Sequence, residues 1–311
     1  MTSVYKNGLE SYLRDSITEK MIELYGDDYL TYREQWNDPE FIPPKGPLHL
    51  DIDLVDSCNQ RCAMCHQSYR SRTGQSLDLR LAQELIAEGV SLGMRSVNIG
   101  AASEPLLQMH GVSELLSACV RHNVIDTFLH TNGMLLDHGK SKLLLNSRLK
   151  HLCISVDAAT SGTYKAQRGI DALDLVEANI ADFLSLRGDA PFPQLRISFC
   201  VTPLNKSEKE TFLEKWKGRV DLLEFQDYIP NQGGVADPTA RLLDKCREGI
   251  KRAAVWPDGT VSACCRGTRG ITFGNLNSNS LEKIWTSPQA SQVRHAIAEG
   301  PLPQECRMCF R

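Results

Sequence analysis

The spacing of apolar and polar residues changes near residue 45 of the chain. Apolar residues recur at helical intervals over 10–25 and 29–36, and the proline-rich segment FIPPKGP follows them. Because proline removes backbone donors, such a segment ends helices. From Leu48 to Leu54 apolar and polar residues alternate, which is the spacing of a strand. We therefore predict a helical N-terminal arm that gives way to β structure.

Predicted strands and helices alternate through the middle of the chain. The strands are 48–56, 95–100, 126–133, 151–157, 195–202 and 220–226, and the helices between them are 77–92, 111–122, 137–146, 171–187 and 206–217. Strands that alternate with helices form βαβ units with parallel pairing. We predict an α/β fold, a partial (β/α)6 parallel barrel, whose functional loops lie at the carboxyl ends of the strands.

The pattern changes again near residue 236. Pro257, Asp258 and Gly259 form a hairpin signal between two short β-like runs, and GNLNSNSLEKIW (274–285) is a strand-like start that leads into a helix. The sequence thus predicts three regions: the helical arm over 1–45, the partial barrel over 46–235, and a small C-terminal α+β domain over 236–311.

Composition excludes several classes of protein. Hydrophobic residues make up 41% of the chain, charged residues 23%, and the net charge is −3, so neither disorder nor a nucleic-acid-binding surface is indicated. No apolar run is long enough to cross a bilayer or to act as a signal peptide. Eleven cysteines in a chain of this length are more often metal ligands or catalytic groups than disulfides. We expect a soluble cytoplasmic protein without nucleic-acid or membrane partners.

Three of the cysteines, Cys58, Cys62 and Cys65, follow the first predicted strand with C-x3-C-x2-C spacing. Thiolates select zinc, copper(I) or iron–sulfur clusters, and closed sites of these metals take four protein ligands. A set of three leaves one metal position open for a substrate or cofactor. From this loop alone, a zinc site completed by His66 or by a distant residue is the alternative.

The sequence resembles the radical SAM family, whose cluster motif has this cysteine spacing on the loop after the first barrel strand. Three further segments are similar to signatures of the family and come in the same order. They are GAASEPLL (100–107), HTNGMLL (130–136) and ISVDAATSGTYKAQRG (154–169). The first departs from the usual Gly-Gly-Glu by having Ala102 and Ser103 in place of the glycines. The resemblance extends over residues 48–230.

The resemblance implies that the three cysteines bind a [4Fe–4S] cluster and that S-adenosylmethionine occupies the fourth iron. Glu104 would lie near the amino group of this cofactor, Asn132 belongs to the third-strand signature, and Ser155 and Arg168 would hold the ribose and carboxylate. An electron from a donor such as flavodoxin or ferredoxin would cleave the sulfonium. The 5′-deoxyadenosyl radical that results abstracts hydrogen from a substrate carbon.

A second set of cysteines lies near the C-terminus, and its arrangement resembles the SPASM/twitch extension of radical SAM enzymes. The set is Cys246, Cys264, Cys265, Cys306 and Cys309. The resemblance implies one auxiliary [4Fe–4S] cluster, for which we expect Cys246, Cys264, Cys306 and Cys309 as the four ligands. A structural zinc clasp in the same place is the alternative.

The adjacent pair Cys264 and Cys265 cannot easily face one metal, because successive side chains of an extended arm point to opposite faces. One thiol is left over, and we take Cys265 as a candidate hydrogen-atom donor; a small buried hydrophobe is the alternative. Cys119, Cys153 and Cys200 fall in helix or strand patterns and are predicted to be core residues. Cys153 and Cys200 could reach the barrel lumen, so they are also donor candidates, weaker than Cys265.

The first predicted strand carries polar residues, His49, Asp51 and Asp53, that are unusual for a buried parallel strand. They would either line a substrate site in the barrel lumen or form an ion-paired network that fills it. His130 and Asp157, at the ends of the third and fourth strands, are placed similarly.

The expected function is hydrogen abstraction from a substrate carbon by a radical SAM enzyme. An epimerase acting on a small polar substrate, such as a sugar or aminocyclitol, is our main prediction, since the arm of about 45 residues is short for a leader-peptide recognition domain. The alternatives are a dehydrogenase of a secondary alcohol, a peptide-modifying maturase, and a non-enzymatic iron–sulfur redox sensor.

Overall fold

The computed structural model describes residues 2–6, 9–13, 17–228, 248–265, 271–303 and 306. Eleven strands in these ranges form one sheet. They are β1 (Thr2–Lys6), β2 (Leu9–Leu13), β3 (His49–Ile52), β4 (Ser96–Ile99), β5 (Asp126–Thr131), β6 (His151–Ser155), β7 (Gln194–Val201), β8 (Leu222–Asp227), β9 (Arg252–Val255), β10 (Thr260–Ser262) and β11 (Thr272–Asn275).

Helices connect most of these strands. They are α1 (Thr18–Tyr25), α2 (Asp27–Asn37), α3 (Leu79–Ser91), α4 (Met109–Arg121), α5 (His138–Asn146), α6 (Ser161–Arg168), α7 (Leu173–Arg187), α8 (Lys209–Trp216), α9 (Glu248–Lys251), α10 (Leu281–Trp285) and α11 (Pro288–Glu299). Within the described ranges, no helix is long and apolar enough to cross a membrane.

The sheet is built around six parallel strands, β3 to β8, that pair in chain order. All six predicted strands and the five predicted helices between them are confirmed. The sheet continues beyond this unit on both sides: β2 pairs with β8, and β9 pairs in parallel with β3. The predicted C-terminal hairpin is confirmed as β9 and β10, and its strands belong to the same sheet as the barrel.

Alternation along the strands separates an apolar face from a polar one. Leu50 and Ile52 of β3 and Leu195 and Ile197 of β7 are fully buried in the main core, which the helices cover. The residues between them are polar and therefore face the other side, because successive side chains of a strand point to opposite faces. This other side is the concave face of the partial barrel. The loop after β3 contacts helix α6, which follows β6, through the hydrogen bond from Ala63 N to Gln167 O (2.8 Å).

The N-terminal arm is helical over α1 and α2, but the prediction of helix from residue 10 onwards is wrong. Leu9–Leu13 is a strand, β2, which pairs with β1 and with β8. The ring of Tyr12 packs edge-on against Phe225 of β8 at 6.1 Å. An open strand edge offers a row of backbone partners, and this pairing outweighs the local helical pattern.

The amino end of the sheet is covered by α2. The buried Lys251 side chain donates to the carbonyl oxygens of Gln35 (2.6 Å) and Trp36 (2.9 Å) at the end of this helix, where a cation interacts favourably with the helix dipole. The Trp36 ring in turn lies 5.8 Å from the His49 ring at the start of β3. The carboxyl ends of the strands carry the signature loops.

Candidate active site

The three-cysteine loop leaves the carboxyl end of β3 and is held by its neighbours. Arg72 donates to Cys58 O (2.7 Å) and Gln60 O (3.2 Å), which fixes the first half of the loop. On the other side α6 ends at Gly169, where the backbone has φ +76° and an added β-carbon would lie 2.8 Å from Arg61 O. Only glycine allows this approach of helix to loop.

The thiols of the loop are close enough to influence one another. Burial raises the pKa of Cys62 to about 11, against the effect of the Arg168 guanidinium, and the neighbouring Cys65 raises it further. Burial also raises the pKa of Cys65, and Cys58 adds to this effect. Within the described ranges, no three His, Cys, Asp or Glu side chains are gathered tightly enough for a single metal ion; a four-iron cluster binds each thiolate through a different iron.

Glu104 and Asn132 connect the ends of β4 and β5 to this loop. The buried Glu104 carboxylate accepts hydrogen bonds from Thr131 Oγ1 (2.7 Å), Asn132 N (2.8 Å) and Leu106 N (3.1 Å). The Asn132 side chain donates to Asn59 Oδ1 (2.7 Å) and lies 3.8 Å from Cys58 Sγ. Both predicted residues therefore lie beside the cysteine loop.

The Asp53 side chain binds the segment after β4, in which Ala102 and Ser103 stand where the family usually has two glycines. Its Oδ1 accepts hydrogen bonds from Ala102 N (3.0 Å) and Ser103 Oγ (2.5 Å). Burial raises the pKa of Asp53 to about 6, although these two donors lower it. The hydroxyl of Ser103 thus supplies a contact that glycine could not make.

Arg168 lies at the end of α6, between an acid and the cysteine loop. Its Nη2 is 2.5 Å from Asp157 Oδ2 and its Nη1 is 3.6 Å from Cys62 Sγ. Its Nε is buried and has no hydrogen-bond partner among the described residues. Ser155 is half-buried at the end of β6, where its hydroxyl oxygen accepts from Ser198 Oγ at 3.3 Å.

The concave face carries a hydrogen-bonded network below the signature loops. Asn98 donates to Asp51 Oδ1 (2.8 Å) and pairs through its own oxygen with His130 Nδ1 (2.6 Å), and Arg196 contacts His130 Nε2 and donates to Glu224. Because arginine only donates, Nε2 of His130 is the acceptor and Nδ1 carries the proton. Burial, together with the Arg196 guanidinium, holds the pKa of His130 well below its usual range, so the ring is neutral.

The polar residues of β3 form the ion-paired network that was one of the two predictions, whereas their role in lining a substrate site stays a prediction. His49 Nε2 lies 3.2 Å from Asp51 Oδ1, and Arg252 forms a longer ion pair with Asp51 Oδ2 at 3.8 Å. Asp51 and His130 therefore belong to a network that runs across the concave face, whereas Asp53 is directed at the loop after β4. Asp157 forms an ion pair with Arg168.

Cys264 and Cys265, of the C-terminal cysteines, lie towards the opposite end of β3 from the cysteine loop. Ser262 of β10 is opposite Ala254, which is level with Asp51, and β10 runs antiparallel to β9. The chain after Ser262 therefore leads Cys264 and Cys265 towards the amino end of β3. Gly249 lies close to this segment, since an added β-carbon there would lie 3.3 Å from Ala263 Cβ. A β-carbon added at Gly249 would also lie 2.9 Å from Ile297 Cδ1 on α11. Because Ile297 clusters with Ile250 and Cys306, both cysteine segments approach α11. Cys246 and Cys309 lie outside the described residues.

The match to two protein-family models agrees with this arrangement. The model of the radical SAM superfamily matches residues 52–187, and the model of the SPASM iron–sulfur cluster-binding domain matches residues 246–310. The chain contains a radical SAM domain and a SPASM domain. The cofactors of these domains are S-adenosylmethionine and [4Fe–4S] clusters.

Curated relatives of the radical SAM domain include a probable GTP 3',8-cyclase of Saccharolobus solfataricus. It is 29% identical over 167 residues, which are 53% of this chain and 51% of the relative. This chain thus spans about half the length of the curated relatives it matches.

Solved structures share the fold over most of the chain. SuiB of Streptococcus suis bound to S-adenosylmethionine has a TM-score of 0.62 at 14% identity, covering 90% of this chain and 74% of SuiB. BtrN in complex with AdoMet and 2-DOIA has a TM-score of 0.54 at 15% identity, covering 81% of this chain and 87% of BtrN. The radical SAM fold is therefore common to all three.

The residues at the carboxyl ends of the strands fit these cofactors chemically. Three thiols on one loop suit a cluster with an open iron. The buried Nε of Arg168, which has no hydrogen-bond partner in the described ranges, suits a carboxylate. The Glu104 carboxylate already accepts three hydrogen bonds from the chain, so a cofactor ammonium would share it.

Some residues of the site carry no readable sequence signal. Gln60 sits between two cysteines and donates to Tyr164 Oη (3.0 Å) and to Met134 Sδ (3.0 Å). Arg72 follows the cysteine loop in the sequence and donates hydrogen bonds to its backbone carbonyls. Neither belongs to a cysteine spacing or to a periodic pattern, and only the folded loop shows their role. Of the predicted core cysteines, Cys119 is buried in the main core, whereas Cys153 is buried on the concave face beside Arg196.

Proposed function

We propose that this radical SAM enzyme is an epimerase of a small polar substrate, such as a sugar or aminocyclitol, with Cys265 as hydrogen donor. Cys58, Cys62 and Cys65 would bind the cluster that activates S-adenosylmethionine, and Cys246, Cys264, Cys306 and Cys309 the auxiliary cluster. Bound together, cluster and cofactor supply a radical that abstracts hydrogen from the substrate. Glu104, Asn132, Ser155 and Arg168 would orient the cofactor.

The observation that carries this proposal is that the cysteine loop and the pair Cys264 and Cys265 lie towards opposite ends of β3. The cysteine loop follows the carboxyl end of the strand, and the chain after β10 runs towards the amino end. The four residues of β3 alone span about 10 Å. Abstraction from one side and donation from the other invert a carbon, which a donor on the same side would not do.

The polar residues of the concave face support a polar substrate. Asp51, Asn98, His130 and Glu224 lie between the two ends and hold fixed donors and acceptors. Preorganised groups of this kind orient hydroxyl and ammonium groups. An electron donor such as flavodoxin or ferredoxin would reduce the first cluster.

The names of relatives suggest two other classes of substrate, GTP and peptides, which the test therefore includes. The curated relatives are named GTP 3',8-cyclases, and SuiB has also been crystallised with its precursor peptide SuiA. A dehydrogenase, which would pass an electron to the auxiliary cluster, remains the alternative outcome for a secondary alcohol.

The test begins with the reduced enzyme and S-adenosylmethionine under anaerobic conditions. Hexoses, aminocyclitols, synthetic peptides and GTP are each added, and the rate of 5′-deoxyadenosine formation is measured. A sugar or aminocyclitol should raise this rate. Stimulation by GTP or by a peptide alone would overturn the substrate assignment.

The second part of the test concerns Cys265. In deuterated water the product should carry one solvent deuteron at the inverted carbon, because a thiol hydrogen exchanges with solvent before transfer. Cys265→Ala should still form 5′-deoxyadenosine but no epimer, while Cys119→Ala, in the apolar core, should behave as wild type. A product two mass units lighter than the substrate, formed equally well by Cys265→Ala, would identify a dehydrogenase instead.

A further inference from the structure

The buried pair of Arg168 and Asp157 is set directly against the cysteine loop. Nη1 of Arg168 points at Cys62 Sγ (3.6 Å) and at Gln60 Oε1 (3.4 Å). Cys62 is the most buried of the three loop cysteines, with 7% of its surface exposed. The guanidinium therefore meets a sulfur that water reaches poorly, where electrostatic interactions are strongest.

Asp157 fixes this guanidinium from the other side. Its Oδ2 is 2.5 Å from Arg168 Nη2, and its Oδ1 accepts the backbone N–H of Cys200 on β7 at 2.6 Å. Its backbone is in the left-handed region, with φ +63°, which is uncommon for a residue other than glycine. The acid is thus anchored by its own backbone and by β7, and Arg168 cannot leave Cys62 without breaking a buried ion pair.

A positive charge and a hydrogen bond at a ligand sulfur change the reduction potential of an iron–sulfur cluster. Reduction adds one negative charge to the cluster. A nearby guanidinium stabilises that charge and raises the potential, while a carboxylate lowers it. Here the Arg168 guanidinium contacts Cys62 Sγ, and the Asp157 carboxylate lies on the far side of the guanidinium. The two groups therefore shift the reduction potential in opposite directions.

We propose that Arg168 donates a hydrogen bond to the Cys62 thiolate and sets the reduction potential of the loop cluster, with Asp157 as the residue that positions and moderates it. The inference needs a cluster bound by the cysteine loop. It does not depend on the epimerase outcome or on the role of Cys265, so failure of either leaves it standing.

The test is a redox titration of the purified holoenzyme followed by electron paramagnetic resonance. The signal that changes when S-adenosylmethionine is added identifies the loop cluster, and its midpoint potential is measured without the cofactor. Arg168→Gln should move the midpoint to more negative values, Arg168→Lys should move it less, and Asp157→Asn should move it to more positive values. The auxiliary signal should stay unchanged in all three.

Arg187 and Asp221 provide the matched control, since they form a half-buried ion pair at the amino end of β8, away from the cysteine loop. Arg187→Gln and Asp221→Asn should leave both midpoints unchanged. If Arg168→Gln fails to assemble the cluster, Arg168→Lys and Asp157→Asn still test the sign. Unchanged midpoints in the Arg168 and Asp157 variants, or shifts in one common direction, would overturn the proposal.

Discussion

Asp53 makes a pH-dependent contribution to the free energy of unfolding, and a single substitution can separate it from that of the other groups. Its pKa of about 6 in the folded protein lies above the ordinary value of roughly 4 that it regains on unfolding. The folded state therefore binds the proton more tightly, so this group favours folding below about pH 4, and its contribution is lost as the pH rises to about 6. Above that pH the buried charge is a constant cost.

Asp53→Asn should remove this dependence. The melting temperature of wild type minus that of the variant should fall between about pH 4 and pH 6 and then level off, because each pKa unit corresponds to about 1.4 kcal/mol. The amide oxygen can still accept from Ala102 and Ser103, which limits other losses. A difference that is flat across this range would mean that Asp53 titrates normally.

At the level of single residues, the spacing of cysteines along the sequence predicts the cluster ligands, but it does not predict the residues that hydrogen-bond to the site and position it. Cys58, Cys62 and Cys65 are recognisable because the chemistry requires thiolates at a fixed interval. Asp53 could be predicted only as a polar residue on a strand, since its partners at 102 and 103 come from a distant segment. Asp157 was recognisable as a strand-end polar residue, but its pairing with Arg168 depends on where α6 ends.

Among the elements, α10 is tied to the radical SAM domain by one acid. The Glu88 carboxylate on α3 accepts the N–H groups of Leu281 and Glu282, each at 3.0 Å. The Trp285 indole at the other end of α10 donates to Pro43 O at 2.8 Å. A helix of five residues has little stability of its own, so these contacts fix how this part of the SPASM domain sits on α3.

Glu88→Gln should therefore loosen α10. An amide cannot accept both N–H groups as well as a carboxylate does, and the loss of charge-assisted hydrogen bonds should cost about 1–3 kcal/mol. Hydrogen exchange should become faster at the amides of Leu281 and Glu282. Glu84→Gln, one turn earlier on α3 and exposed, is the matched control. Equal exchange in the two variants would show that α10 is held by its apolar contacts instead.

The elements of the parallel unit could be predicted because each one has a clear period. The N-terminal hairpin could not, since Leu9–Leu13 is too short for its period to separate strand from helix. Its conformation is decided by the free edge of β8. The sequence likewise predicted the β9–β10 hairpin, but not that β9 would join β3, because strand partners are set by the whole sheet.

At the scale of the whole molecule, one sheet connects the two iron–sulfur regions. β3 carries the cysteine loop at one end, and β9 and β10 bring Cys264 and Cys265 towards its other end. An auxiliary cluster bound by Cys264 would therefore be held apart from the loop cluster by strand pairing. A substrate held on the concave face would lie between them, which suits abstraction at one end and donation or electron transfer at the other.

This arrangement predicts two independent clusters. Anaerobically purified protein should contain about eight iron atoms per chain, since four ligands close one [4Fe–4S] cluster and three ligands with S-adenosylmethionine close the other. Replacing Cys58, Cys62 and Cys65 together with alanine should leave about half of the iron, because the SPASM ligands come from other segments. Elemental analysis and Mössbauer spectroscopy would measure both quantities. Zinc without iron in the triple variant would show that the SPASM cysteines form a zinc clasp instead of an auxiliary cluster.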